Sequence, residues 1–210
     1  MAFLAGATDA YGLTILRDLY VSFMSGNTTM LGVSAGSGDG VRSAQIAELI
    51  GLFVAGAATG AMASDMTGRF RTPCVILIAS MVLCLPTYEP AWAVYSFVFA
   101  MGALNLALGK VGAEGVGLTY VTGALVKFGQ GLGHWVTGNR EDLSWLIQAA
   151  MWASILLGAF LARLAMRFGA GGLWQLPLLG FLLAGIAFAI GRSERASVIP
   201  AEARDRAAPG

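Results

Sequence analysis

The chain has 210 residues, of which 57% are apolar and 12% charged, with a net charge of +1 and a mean hydropathy of +0.71. Soluble domains carry about 25% charged residues, so this composition excludes an ordinary soluble domain, and the near-zero net charge gives no footing for nucleic acid. Charges cluster between uncharged runs approaching or reaching the roughly 20 residues needed to cross a bilayer. Lipid offers no partners to backbone amides, so such runs fold as helices, and the expected fold class is an all-α membrane protein.

In chain order, the first expected span covers about residues 1–16 and contains Asp9. Met1-Ala2-Phe3-Leu4 lacks the basic region of a cleavable signal peptide. This span is short at its N-terminus compared with its counterpart, as if the start lay too late or the helix began within the membrane. Arg17-Asp18 ends it, and the run Leu19–Gly38 follows, interrupted by Ser25-Gly26-Asn27-Thr28-Thr29. A hydroxyl residue before Gly-Asn signals a capped helix start. The expectation is a short helix from about Ser25 to Gly36, entered by unwound residues 21–24. Gly32 and Gly36 form a Gly-x-x-x-Gly face of the kind that lets helices approach closely, as do Gly129 and Gly133, and Gly56 and Gly60.

The second span is expected at 47–65, followed by a loop with Arg69 and Arg71; the third opens at Pro73 and ends at Pro86. Cys74 and Cys84 on that span would stand about 15 Å apart at 1.5 Å per residue, too far for a disulfide, and read as small buried apolar residues. The fourth span is about 91–109. A second broken segment, 115–135, is interrupted by Lys127 and ends at His134. The fifth and sixth spans are about 143–162 and 172–191. Residues 192–210 read as a polar, disordered tail after a single transmembrane domain, 1–191.

A polar motif recurs along this plan. Ala5-Gly6-Ala7-Thr8-Asp9-Ala10 and Val21-Ser22-Phe23-Met24-Ser25-Gly26 are matched by Met101-Gly102-Ala103-Leu104-Asn105-Leu106 and Leu118-Thr119-Tyr120-Val121-Thr122-Gly123. A shift of 97 carries Gly12, Gly26, Gly32 and Gly36 onto Gly109, Gly123, Gly129 and Gly133, and a shift of 98 carries Gly60, Arg69 and Phe70 onto Gly158, Arg167 and Phe168. The pattern describes two related halves, about 1–88 and 91–191, as in many transport folds. With six spans and two non-crossing segments, the side holding both termini carries Arg69, Arg71, Lys110, Lys127, Arg140, Arg192 and Arg195, against Arg17, Arg42, Arg163 and Arg167. That favours cytoplasmic termini; a parallel, eight-span arrangement stays open.

These motifs resemble the YoaK-like bacterial membrane proteins: Ala-Gly-x-x-Asp-Ala-x-Gly at the start, Ser-Phe-Met-Ser-Gly-Asn-Thr-Thr from Ser22, and Thr-Tyr-Val-Thr-Gly from Thr119. The resemblance covers about residues 3–191 and implies a polytopic bacterial inner-membrane protein with about six helices. It supplies an architecture and no activity. Two departures stand out. Family members usually have Thr in place of Ser25, and often Gln-Asn-Ala where this chain has Leu104-Asn105-Leu106.

The candidate solute- or ion-binding residues are Asp9, Ser25, Gly26, Asn27, Thr28, Asn105, Thr122 and Gly123. A carboxylate in a span costs about 2.5–3.5 kcal/mol on insertion scales, which a partner, a water-filled cavity or protonation must offset. Headgroup-level placement, or a structural bond to the unwound backbone near Gly26, is the plainer alternative. Asn105 could reach Asp9 or serve as helix glue. A helix start within the membrane offers amides to an anion, and the unwound residues before it offer carbonyls to a cation; a plain interfacial cap is the alternative. Lys127 reads as a snorkelling side chain. His134 beside Trp135 reads as an interfacial pair, not a metal ligand. No phosphate loop, CxxC or catalytic triad is visible, so the expectation is no enzyme, cofactor or metal. The expected role is movement of a small solute or ion across the inner membrane, with lipid and a second copy of the chain as further partners. The competing role is a non-transporting structural, lipid-interacting or assembly protein.

Overall fold

The structure, a computed structural model, describes residues 1–16, 18–107, 121–138, 143–169 and 172–205, with side chains followed as far as Arg192. The described residues are helical, without strands. The elements are α1 (Ala2–Leu16), α2 (Met24–Gly36), α3 (Gly40–Thr67), α4 (Arg71–Val82), the short α5 (Leu85–Tyr88), α6 (Ala93–Ala107), α7 (Val121–Val136), α8 (Trp145–Arg167) and α9 (Gln175–Asp205). Single 3-10 turns, Gly68–Phe70 and Pro90–Trp92, lead into α4 and α6.

Local chemistry sets several boundaries. The Asp39 carboxylate accepts the Arg42 amide at 2.9 Å and caps α3. Gly68 ends α3 with φ +53°, a backbone that glycine adopts without a Cβ penalty. The chain then turns at once into α4, so Arg69 and Arg71 do not occupy an open loop as expected. Pro73 sits in the first turn of α4, where amides need no helical partner, and Pro86 is near the start of α5. Both prolines lie within two residues of the ends of the apolar stretch Arg71–Tyr88, close to the boundaries read from them. Lys127 does not interrupt its segment: α7 runs through it without a break. Arg163 and Arg167 lie within α8 rather than after it. α9 continues as helix to Asp205, into the stretch expected to be a disordered tail.

The interior is built on glycine crossings. At the crossing of α1 and α8, a Cβ on Gly6 would fall on the Ile155 carbonyl, and one on Gly158 would fall on the Phe3 carbonyl. α6 crosses α3 in the same manner, with Gly102 against Phe53 and Gly56 against Phe99, and Gly60 lies 2.9 Å from the Ala103 carbonyl measured from its Cβ position. Gly56 meeting Phe99 and Gly60 meeting Ala103 show that α3 and α6 run parallel. α4 packs on α6 and on α9. Gly180 abuts Ser80, and Phe70 stacks on Phe188 at 5.3 Å, so α4 and α9 run antiparallel. Leu4, Ile46, Ile76, Phe97, Met101 and Leu104 are fully buried at these contacts.

α2 packs on α3 and α7 on α8, and both lie at the periphery. Cβ atoms on Gly32, Gly36, Gly129 or Gly133 would meet nothing within 4 Å. The close helix approach expected at these two faces is not made among the described residues, where of the three Gly-x-x-x-Gly pairs only Gly56 and Gly60 are used. Cys74 and Cys84 are half-buried and unpaired with each other.

Among the described residues, four helical stretches are long and apolar enough to cross a membrane: Gly40–Thr67, Arg71–Tyr88 (α4 with α5), Trp145–Arg167 and Gln175–Arg192. Ala2–Leu16 is a shorter apolar helix. Their outer faces expose large apolar side chains in continuous rows, such as Leu156, Leu157 and Phe160 on α8 and Leu178, Leu182 and Ile186 on α9. A water-facing surface would not tolerate patches of this extent, whereas lipid favours them.

Candidate functional site

The site forms where the chain folds back between α1 and α2. Asp9 is in the middle of α1 and only 5% exposed. Its carboxylate accepts two hydrogen bonds from Ser22: the backbone amide donates to Oδ1 at 3.0 Å, and the hydroxyl donates to Oδ2. Residue 22 therefore lies at the depth of residue 9, so residues 18–23 descend alongside the last turns of α1. The unwound stretch expected at 21–24 is present, and α2 begins at Met24.

Asn27 holds the other side of the bend. Its Nδ2 donates to the Tyr20 carbonyl at 2.7 Å and its Oδ1 accepts the Tyr20 amide at 3.0 Å. One fully buried side chain thus satisfies both backbone groups of a residue outside any helix. Asn27→Ala is expected to leave both groups unpaired, at about 1–3 kcal/mol each. Thermal unfolding in detergent should register this as a clear loss of stability.

The expected capping by Ser25 does not occur. The N-cap is Phe23, with no side-chain cap bond, and Ser25 is exposed on the first turn of α2. Thr28 and Thr29 donate back to the Met24 and Ser25 carbonyls and face outward. Gly26 rests against the Tyr20 ring, 3.3 Å from its Cβ position. The polar company of Asp9 is therefore Ser22, and not the Ser25–Thr29 run; Thr8 beside it is buried and donates to Leu4 at 2.8 Å. Asn105 occupies α6, half-buried, with Nδ2 donating to Met101 at 2.9 Å. Thr122 and Gly123 are in the first turn of α7, exposed and half-buried respectively. Residues 115–120 of the second broken segment lie outside the described residues.

Two cavities flank the bend. One, of 490 Å³, lies between α1, the bend and α8; Gly6, Asp9, Leu13, Thr14, Tyr20, Phe23, Ile155, Ala159 and Arg163 line it. Tyr20 and Phe23 meet edge to face at 5.7 Å along its wall. The other, of 360 Å³, is lined by Leu16, Leu19, Arg42, Gln45, Glu48, Leu49, Val94 and Tyr95, where α1 ends and α3 and α6 begin. Arg42 pairs with Asp18 at 2.5 Å there. Sequence reasoning missed Ser22, Tyr20 and Arg163 as site residues. Ser22 was visible within the first motif. Arg163 was taken to follow its span, and a pattern-based span boundary cannot show that the helix carries it one more turn.

The family model described as "Protein of unknown function (DUF1275)" matches residues 1–189. A relative from Rhizobium meliloti (strain 1021), "UPF0700 transmembrane protein RA0705", is 40% identical over 196 residues, covering 91% of this chain and 85% of the relative. No solved structure matches the chain. The family match over nearly the whole helical domain and the apolar outer faces agree: the chain is a transmembrane protein and belongs to the DUF1275 family, which includes the YoaK-like proteins its motifs resemble.

Proposed function

We propose that the protein moves a small solute or ion across the bacterial inner membrane, as a six-span helical bundle of two related halves with opposite orientation, without enzymatic activity. The observation that carries this reading is the fold-back at Asp9: a buried carboxylate holding unwound backbone at mid-helix depth beside a cavity. Non-helical backbone at such depth is tolerated where it is buried or lines a cavity, and it is how many transporters build their sites.

The crossings support the two-halves reading. A shift of 96 carries Phe3 and Gly6 onto Phe99 and Gly102, and a shift of 102 carries Phe53 and Gly56 onto Ile155 and Gly158. Each half's first helix thus meets the other half's third through equivalent residues. Gly158 then corresponds to Gly56, one turn before the Gly60 that sequence spacing paired with it. Directions support inversion. α1 ends where α3 and α6 begin, α4 returns, and α9 runs against α4. α1 and α8 both give residues C-terminal to their crossing to one cavity, as helices travelling the same way do. This reading has six crossings, with α2 and α7 entering and leaving on one side each. Reporter fusion at Gly210 and cysteine labelling at Met1 should both report the cytoplasm; a periplasmic C-terminus would refute the six-span reading.

Purified protein in liposomes should take up at least one member of a panel of ions and small metabolites. Asp9→Asn should lower that uptake at least tenfold per folded molecule. Unchanged uptake per molecule would exclude Asp9 as the functional carboxylate. No uptake of any solute by folded protein would favour the structural or lipid-interacting role.

A further inference from the structure

We propose that the cavity between α1, the bend and α8 binds a small zwitterion with an apolar body, its ammonium group at Asp9 and its acidic group at Arg163. This deepens the transport reading above and rests on it and on its two-halves correspondence.

The chemistry of the walls points to the class. The cavity volume of 490 Å³ falls in the range of about 300–1,000 Å³ that small-molecule sites occupy. Most of its lining is apolar, including Leu13, Phe23, Ile155 and Ala159, which suits a hydrocarbon body. Two side chains of opposite charge also line it. Asp9 keeps acceptor capacity within the bend, because a carboxylate offers about four lone-pair sites, of which Ser22 takes two and the Val21 amide bears on a third. Arg163 is exposed on the last turns of α8 and presents a planar fork suited to a carboxylate or phosphate. Among the described residues the ion pair that forms is Arg42 with Asp18, so Asp9 and Arg163 share the cavity without neutralising each other. A ligand carrying both charges would complete both at once.

The other half acts as an internal control. The shifts that align the glycine crossings carry Asp9 onto Asn105 and Arg163 onto Ala61, while Gly6 and Ala159 keep small counterparts in Gly102 and Ala57. Both charges are present in one copy and both are missing from the other. Crossing geometry requires the small residues and does not require the charges. Their joint presence on one side fits a ligand that needs both.

A free amino acid and the headgroup of an ethanolamine lipid share this chemistry; the largely apolar lining and small volume favour the free solute. The test is calorimetric titration of the full chain in phosphatidylcholine nanodiscs with leucine, phenylalanine, 3-methylbutylamine (leucine without its carboxylate) and 4-methylpentanoate (leucine without its ammonium group). Leucine or phenylalanine should bind saturably, at least tenfold tighter than either one-charge analogue. Arg163→Gln should weaken amino-acid binding at least tenfold and leave amine binding unchanged; Arg167→Gln, one turn further on, should change neither. The assignment is overturned if neither amino acid binds, if the amine binds as tightly as leucine, or if Arg163→Gln has no effect. Leucine binding that disappears when phosphatidylethanolamine is added would reassign the site to the lipid headgroup. Uptake of some other solute without amino-acid binding would sink this inference and leave the transport reading standing. Amino-acid binding without uptake would do the reverse.

Discussion

Gly158→Leu is expected to eliminate folded protein, and Gly158→Ala to destabilise it severely. The atom that a Cβ would strike is the Phe3 carbonyl oxygen, with the Phe3 Cα 3.1 Å away. A side chain in that place could turn aside, but helix backbone cannot, so α1 and α8 must separate. Overpacking a well-packed interior costs about 1–3 kcal/mol when side chains can adjust, and here the cost is at the upper end or beyond it. Net stabilities of about 5–15 kcal/mol leave little room for such a loss. Gly56→Ala should behave alike, because its Cβ would strike the Phe99 carbonyl. Gly36→Ala and Gly133→Ala, with nothing within 4 Å, should melt like the parent protein. Gel-filtration-monitored melting of all four would check the contrast. Equal melting of Gly158→Ala and Gly36→Ala would contradict the crossing.

The second large effect is expected at Asp9 and depends on the replacement. Asp9→Ala removes the acceptor for the amide and hydroxyl of Ser22, both deep in the protein. Each unpaired buried donor costs about 1–3 kcal/mol, and lipid supplies no water to relieve it. The bend should open and folded yield should fall steeply. Asp9→Asn keeps an oxygen for the Ser22 amide, and its new amino group can donate to the Ser22 hydroxyl, which accepts as readily as it donates. Its folded yield should stay near the parent value. Ser22→Ala loses the hydroxyl alone, at about 1 kcal/mol. The order Asp9→Ala, Ser22→Ala, Asp9→Asn in falling severity, read from thermal melts, identifies hydrogen bonding as what fixes the bend. Similar losses for alanine and asparagine would identify the charge instead.

The bend and the broken helix were legible from Ser25-Gly26-Asn27, but their chemistry was assigned one turn too late. Local rules describe how a hydroxyl caps its own helix. They do not show that Asp9, thirteen residues upstream, reaches Ser22, because that contact depends on the depth to which the chain folds back. Asn27 was singled out as part of the helix-start motif, whereas its side chain holds the backbone of Tyr20, seven residues upstream. Helix existence was read well from uncharged runs. Helix ends were read less well where charge was taken as a break, at Lys127 and Arg163, because the apolar stem of a lysine or arginine can lie along apolar surface and the helix runs on through it. The glycine spacing Gly32-x-x-x-Gly36 looked the same as Gly56-x-x-x-Gly60. Only the arrangement of helices separates an outward face from a crossing.

The pairing of α1 with α8 also bears on how the protein is made. Gly6 and Ile155 touch across most of the chain's length, so the first helix to leave the ribosome waits for nearly the last. At about 5–20 residues per second, that wait is on the order of ten seconds or more. Throughout it Asp9 has Ser22 as a companion, but the surface that α8 will cover faces the insertion machinery or lipid. Nascent chains arrested before α8 should therefore remain accessible to cross-linkers placed at Gly6, and release of the full-length chain should end that accessibility in one late step.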